Sequence, residues 1–161
     1  MEYRLVAFTQ EHAKEVISWV PTAEDVLLFA GSAYQFPLTE DQLIASANDE
    51  NQRVFSFVNK ENEVLGHCQL FLLADAIKIG RVIIPQKYRG RSLGKGMMLS
   101  LMDYIQIHFP NKFITLNVFT FNTKAIQLYE KLGFVRQETG MKTVEINGQT
   151  WTSVLMDYRA H

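Results

Sequence analysis

The chain holds a single cysteine, Cys68, which excludes an internal disulfide and a multi-cysteine zinc site. No apolar run approaches the roughly 18 residues that a membrane-spanning helix needs. The opening stretch, MEYRLVAFTQEHAKEV, lacks the charged and apolar regions of a signal peptide. Strong charge is missing as well. A formal net charge of −1 argues against a general polyanion binder, so neither nucleic acid nor a membrane is an expected partner. There is no repeat, linker or low-complexity tract. At 161 residues, one domain covering 1–161 is expected, with a reducing cytoplasm as its simplest home.

What is present reads as alternating strands and helices. YRLVAF (3–8) has strand alternation, and Thr9 or Gln10 opens a helix through Trp19. Thr22 with Asp25, and Thr39 with Gln42, are capping signals for helices over 22–30 and 39–49. QRVFSFVN and EVLGHCQLFLL form a hairpin about KEN (60–62), and AIKIGRVIIP adds a strand stopped by Pro85. Met98, Leu101, Met102 and Ile105 recur at helical spacing within 97–109, before Pro110. A strand over 112–119, a helix over 122–133 closed by Gly133, and a terminal hairpin of 134–146 with 150–158 complete the order. The pattern is a mixed α/β or α+β sheet domain.

The chemistry concentrates in YRGRSLGKGMM (88–98), where three glycines and several cations precede a helix. In a helix interior each glycine costs roughly 1 kcal/mol against alanine. A phosphate-binding P-loop needs G-x-x-x-x-G-K-[ST], but Gly90 to Gly94 is one residue short and Gly96 follows Lys95. The dinucleotide fingerprint G-x-G-x-x-G fails on its intervals. What fits is R-x-x-G-x-G, as Arg91, Gly94 and Gly96, between a strand and a helix. Unpaired first-turn N–H groups, the helix dipole, close backbone approach and the charges of Arg91 and Lys95 suit a diphosphate. The plainer alternative is a glycine-rich turn with solvated basic residues.

This stretch, in VIIPQKYRGRSLGKGMM, resembles the acetyl-CoA-binding loop of the GNAT N-acetyltransferases. Downstream, LNVFTFNTKAIQLYEKLGF resembles a second element of that family through Leu116, Val118, Asn122, Ala125, Leu128, Tyr129, Lys131, Gly133 and Phe134. Together the two cover residues 78–134. The resemblance implies a mostly antiparallel twisted sheet flanked by helices, with strands 76–84 and 113–119 splayed apart. Pantetheine would pair with backbone near Val82, Ile83 and Ile84, the diphosphate would sit on the backbone of Arg91, Ser92, Leu93, Gly94, Lys95 and Gly96, and Arg89 and Gly90 would also bind the cofactor. On spacing alone, Val82, Ile83, Ile84 and Tyr129 are core residues and Asn122 is a helix cap. The resemblance adds a cofactor bond for Asn122 and, for Tyr129, a place beside the thioester sulfur as general acid.

The implied reaction is acetyl transfer from acetyl-CoA to a primary amine, in a small molecule or at a protein N-terminus or lysine. It needs no metal, and self-association as a homodimer stays open. Where many protein-acetylating relatives carry a glutamate, this chain has Lys78 and Asn117. Glu24, Asp25, His67, Asp75 and Glu138 are the other acids and imidazoles to consider, and no base is assigned. The acceptor pocket is expected in 19–38, lined by Trp19, Phe29, Tyr34 and Phe36, with Trp151 on a second wall. The alternative is a non-catalytic acyl-CoA-binding or sensing module on the same fold.

Overall fold

A computed structural model describes residues 2–159; Met1 and residues 160–161, the ends of the expected domain, lie outside the described residues. Strands β1 (Tyr3–Ala7), β2 (Gln52–Asn59), β3 (Val64–Leu72), β4 (Ala76–Ile83), β5 (Phe113–Phe119), β6 (Phe134–Arg136), β7 (Lys142–Ile146) and β8 (Gln149–Tyr158) form one sheet. Its order is β1-β2-β3-β4-β5-β8-β6, with β7 also on β8, and only the β4–β5 pair is parallel.

Helices α1 (Gln10–Ser18), α2 (Ala23–Ala30) and α3 (Glu40–Asn48) precede β2. They bury Val16, Val26, Phe29 and Leu43 in one core, together with Tyr34 and Val54. The expected capping box at α2 forms: Asp25 N–H donates to Thr22 Oγ1 at 3.1 Å, and Thr22 N–H donates to Asp25 Oδ2 at 3.3 Å. Helices α4 (Leu93–His108) and α5 (Thr123–Leu132) share a second core with Ile77, Ile79, Leu116 and Val118 of the sheet. No helix among the described residues is long and apolar enough to cross a membrane.

Two elements depart from expectation. Helix α4 begins at Leu93, not near Met97, so Gly94 and Gly96 lie in its first turn. Leu93, Met97, Met98, Leu101 and Ile105 are all nearly or fully buried. Each such burial contributes roughly 1.5–3 kcal/mol, which outweighs about 1 kcal/mol for each glycine. The expected strand 134–146 divides into β6 and β7, which lie end to end along β8. Between them the polar QETG segment, exposed from Glu138 onward, turns through Gly140 at φ +83°.

Candidate active site

Strands β4 and β5 pair from Ala76–Phe113 to Ile79–Leu116, and the pairing stops there. Beyond that point each strand keeps only its other neighbour: β4 stays with β3 through Gly80 and Ile83, β5 with β8 through Asn117, Val118 and Phe119. The expected splay is therefore a feature of the ladder. Its cause is a bulge in β4. Three steps from Gly80 to Ile83 face two from Gln69 to His67, and Arg81 absorbs the extra residue in the left-handed region at φ +51°. The bulge bends β4 away from β5 and leaves the backbone of Val82 and Ile83 beside the opening. Ile84 lies just past the strand, and its carbonyl accepts a bond from Arg89 Nε at 2.9 Å. That acceptor is already engaged.

The glycine stretch follows as a 3-10 turn (Gln86–Tyr88) and a loop through Gly90, at φ +83°, and Ser92, at φ +60°. Ser92 makes no side-chain cap on α4. The first intrahelical bond runs from Gly96 N–H to the Ser92 carbonyl, which leaves the N–H groups of Leu93, Gly94 and Lys95 outside the ladder. A Cβ at Gly94 would meet only Leu128 at 3.5 Å, and one at Gly96 only Phe57 at 3.6 Å, both ordinary contacts. Protein packing thus gives no reason for either glycine. Approach by an anion does, because a side chain at these positions would crowd the free N–H groups.

Asn122 caps α5: its Oδ1 accepts from Ala125 N–H at 3.4 Å. Tyr129, seven residues on, is 7% exposed and packs edge-on to Phe134 at 6.0 Å. Its hydroxyl makes no hydrogen bond with any described residue, yet it is not sealed in the core. Among the described residues, the buried side-chain polar atoms without a partner are His67 Nδ1 and Asn117 Oδ1. Burial, and then the neighbouring Cys68, push the Tyr129 phenol up to about 12, so it stays protonated at neutral pH. Cys68 itself is fully buried, and burial pushes its thiol up.

On the opposite face of the sheet, alternation places Lys78 on β4 and Asn117 on β5, since Ile77, Ile79, Leu116 and Val118 turn toward α4 and α5. Burial, and then the charges of Lys142 and Arg81, hold Lys78 below the ordinary lysine range. The other candidate bases are not drawn into the opening. Asp25 is committed to its capping box, Glu24 and Glu138 are exposed, and Asp75 neighbours the closed end of the β4–β5 pair. His67 is fully buried between Phe8 and Phe29, and burial lowers its pKa to about 4, so it is a neutral imidazole.

Of the expected pocket aromatics, Phe29 and Tyr34 are core residues, and Phe36 is half exposed. Trp19 Nε1 donates to Glu15 at 3.4 Å. Trp151 packs edge-on to Phe119 and Phe121, at 5.3 and 5.5 Å, beside the splayed end of β5. The sequence reading does not single out Arg81; its signal is Gly80, a lone glycine inside the strand AIKIGRVI, where a bulge is the usual reason. The side chain of Phe71 occupies the space that a Cβ at Gly80 would fill, at 2.7 Å.

Residues 11–134 match the acetyltransferase (GNAT) family, and the chain belongs to that family. Spermine/spermidine N(1)-acetyltransferase of Bacillus subtilis (strain 168) is 36% identical over 56 residues, 35% of this chain and 37% of that protein. Among solved structures, spermidine N-acetyltransferase from Vibrio cholerae, in complex with CoA and spermine, superposes with a TM-score of 0.80 at 19% identity. That match covers 96% of this chain and 94% of the other. The ribosomal-protein-S18-alanine N-acetyltransferase of Escherichia coli gives 0.73 at 16% identity, over 98% and 93%. The family and the curated relative support acetyl transfer to an amine and do not favour the non-catalytic alternative; the solved structures show the shared fold.

Proposed function

We propose that this GNAT N-acetyltransferase moves the acetyl group of acetyl-CoA directly to an amine within one ternary complex, at the opening between β4 and β5. The observation that carries the reading is the end of β4–β5 pairing at Ile79–Leu116, next to a helix N-terminus with free N–H groups. Those groups, with Arg91 and Lys95, would hold the diphosphate. The backbone of Val82 and Ile83 would pair with the pantetheine arm as an added strand does. Asn122 would add a bond to the cofactor while capping α5.

When bound, acetyl-CoA supplies an activated carbonyl: the amine nitrogen bonds to that carbon as the carbon–sulfur bond breaks, giving an N-acetyl amine and free CoA thiol. Tyr129, protonated and free of protein partners, donates its proton to the departing sulfur and recovers one from water. Asn117 does not titrate. Its unpartnered Oδ1 accepts an amine N–H and orients the lone pair, while the amine's proton leaves to water. A covalent acyl-cysteine route is disfavoured, because Cys68 is the one cysteine and its buried thiol resists ionisation.

Initial-velocity kinetics test the reading, with thiol release followed at varied acetyl-CoA and amine. Direct transfer gives intersecting reciprocal lines. Parallel lines, or thiol release at equal rates with and without amine, would refute it.

A further inference from the structure

On the acceptor-facing side of the sheet Lys78 and Arg81 of β4 and Lys142 of β7 stand out, and the register sets one acid, Asp157 of β8, across Thr115 from Lys78. The charges of Lys142 and Arg81 both act on Lys78, and none of the three has a carboxylate within ion-pair distance. Lys87–Glu15, at 3.3 Å, is the one ion pair found among the described residues. A partly buried cation with no counter-ion is costly, and neighbouring like charges add to the cost.

Arg81 is also built to present one edge. Its guanidinium lies over the Tyr34 ring at 4.3 Å and the Phe71 ring at 4.9 Å. Nη1 donates to Tyr34 Oη at 2.9 Å and Ser46 Oγ at 3.4 Å. Tyr34 is itself fixed by Ser46 at 2.6 Å and by Gln69 at 3.3 Å, and all three are buried. The Nε and Nη2 atoms have no partner among the described residues, nor are they buried orphans. That free edge is a two-donor fork, the shape that takes a carboxylate bidentately. It sits on the bulge residue, where β4 leaves β5, and on the same face β5 carries Asn117, whose buried Oδ1 has no donor.

We propose that the acceptor is a small amine that also bears a carboxylate, its acid group on the Arg81 fork with Lys78 nearby and its amine toward Asn117. The inference rests on the acetyl-transfer reading and deepens it. It also separates this chain from the polyamine-acetylating proteins it resembles. Polyamines need carboxylates for recognition, and on this face the register sets the single carboxylate of Asp157 against three cations. The sequence likeness to the spermine/spermidine enzyme spans only about a third of either protein. The carboxylate takes no part in bond making; it positions the nitrogen.

The test is calorimetric titration of the CoA-saturated protein with β-alanine, β-alaninamide, O-phosphorylethanolamine and putrescine, paired with thiol release from acetyl-CoA. β-Alanine should bind more tightly than its amide by about tenfold to a hundredfold, the worth of a charge-assisted pair of bonds. Arg81→Met should collapse that ratio, and Lys78→Met should reduce it, which keeps the test open if the first variant fails to fold. Equal binding of acid and amide, a preference for putrescine, or an acid preference that survives both substitutions overturns the proposal. Preference for O-phosphorylethanolamine overturns the carboxylate assignment. Failure of acetyl-CoA itself to bind counts against the transfer reading instead.

Discussion

Replacing Tyr129 with phenylalanine separates its packing from its proton. The ring is buried against Phe134 and the helical core, and phenylalanine keeps those contacts. The hydroxyl makes no hydrogen bond with a described residue, so its loss strands no partner, and stability should change by less than about 1 kcal/mol. The phenol is raised from 10.0 to about 12 in the folded protein, which favours the protonated form there. Its contribution is therefore complete below pH 10 and lost as pH rises from 10 through 12, a loss of roughly 2–3 kcal/mol. Tyr129→Phe should lack that alkaline decline in denaturant midpoint. Catalysis should suffer far more. General-acid roles contribute about 10²–10⁴-fold, so kcat should fall within that range where protonation of the leaving group limits the rate. The decisive assay compares acetyl thioesters whose leaving thiols differ in pKa. The variant should lose most with the most basic thiol, and equal losses along the series would sink the acid role.

Gly94→Val should fold, because a Cβ there meets only Leu128 at 3.5 Å. Its branched side chain should block the free N–H groups of α4 and weaken acetyl-CoA binding by roughly tenfold or more, about 1.4 kcal/mol; unchanged affinity by calorimetry would misplace the diphosphate. His67 is depressed from 6.5 to about 4 by burial, so the unfolded chain takes up its proton first. Stability from this residue is fully present above pH 6.5 and is lost as pH falls toward 4, by roughly 3 kcal/mol. His67→Phe, which keeps ring packing against Phe8 and Phe29, should remove that acid limb from denaturant midpoints; a limb that persists unchanged would assign it to other groups.

What was legible in the chain is what depends on local signals. Thr22 and Asp25 announce a capping box because the cap is a contact between neighbours in sequence, and the structure forms it. The order of strands and helices follows from periodicity. The start of α4 is not legible because Gly94 and Gly96 disfavour helix locally, while burial of Leu93 and Met97 against the sheet is a tertiary gain that no window of the sequence contains. The division of 134–146 is of the same kind: β8 is long enough to pair with two short strands, and only the assembled sheet reveals it.

The candidate site divides along the same line. The cofactor side reads from the sequence because it is backbone chemistry at a strand-to-helix junction, which constrains residue type at fixed spacing. The acceptor side does not. Lys78 and Asn117 stand out only as departures from a pattern, and they acquire meaning when the sheet sets them on one face. Arg81 is hidden further, because its importance comes from a bulge that puts a charged residue at φ +51° in the strand bordering the opening. Such a conformation is costly for a residue with a side chain, by about 1 kcal/mol or more, and a glycine stands one position earlier. A shift of the bulge by one residue would relieve the strain and turn the guanidinium away from Tyr34 and Ser46. That the structure keeps the strain, the stacked rings and the unpaired fork together is the physical reason to look for an anion there.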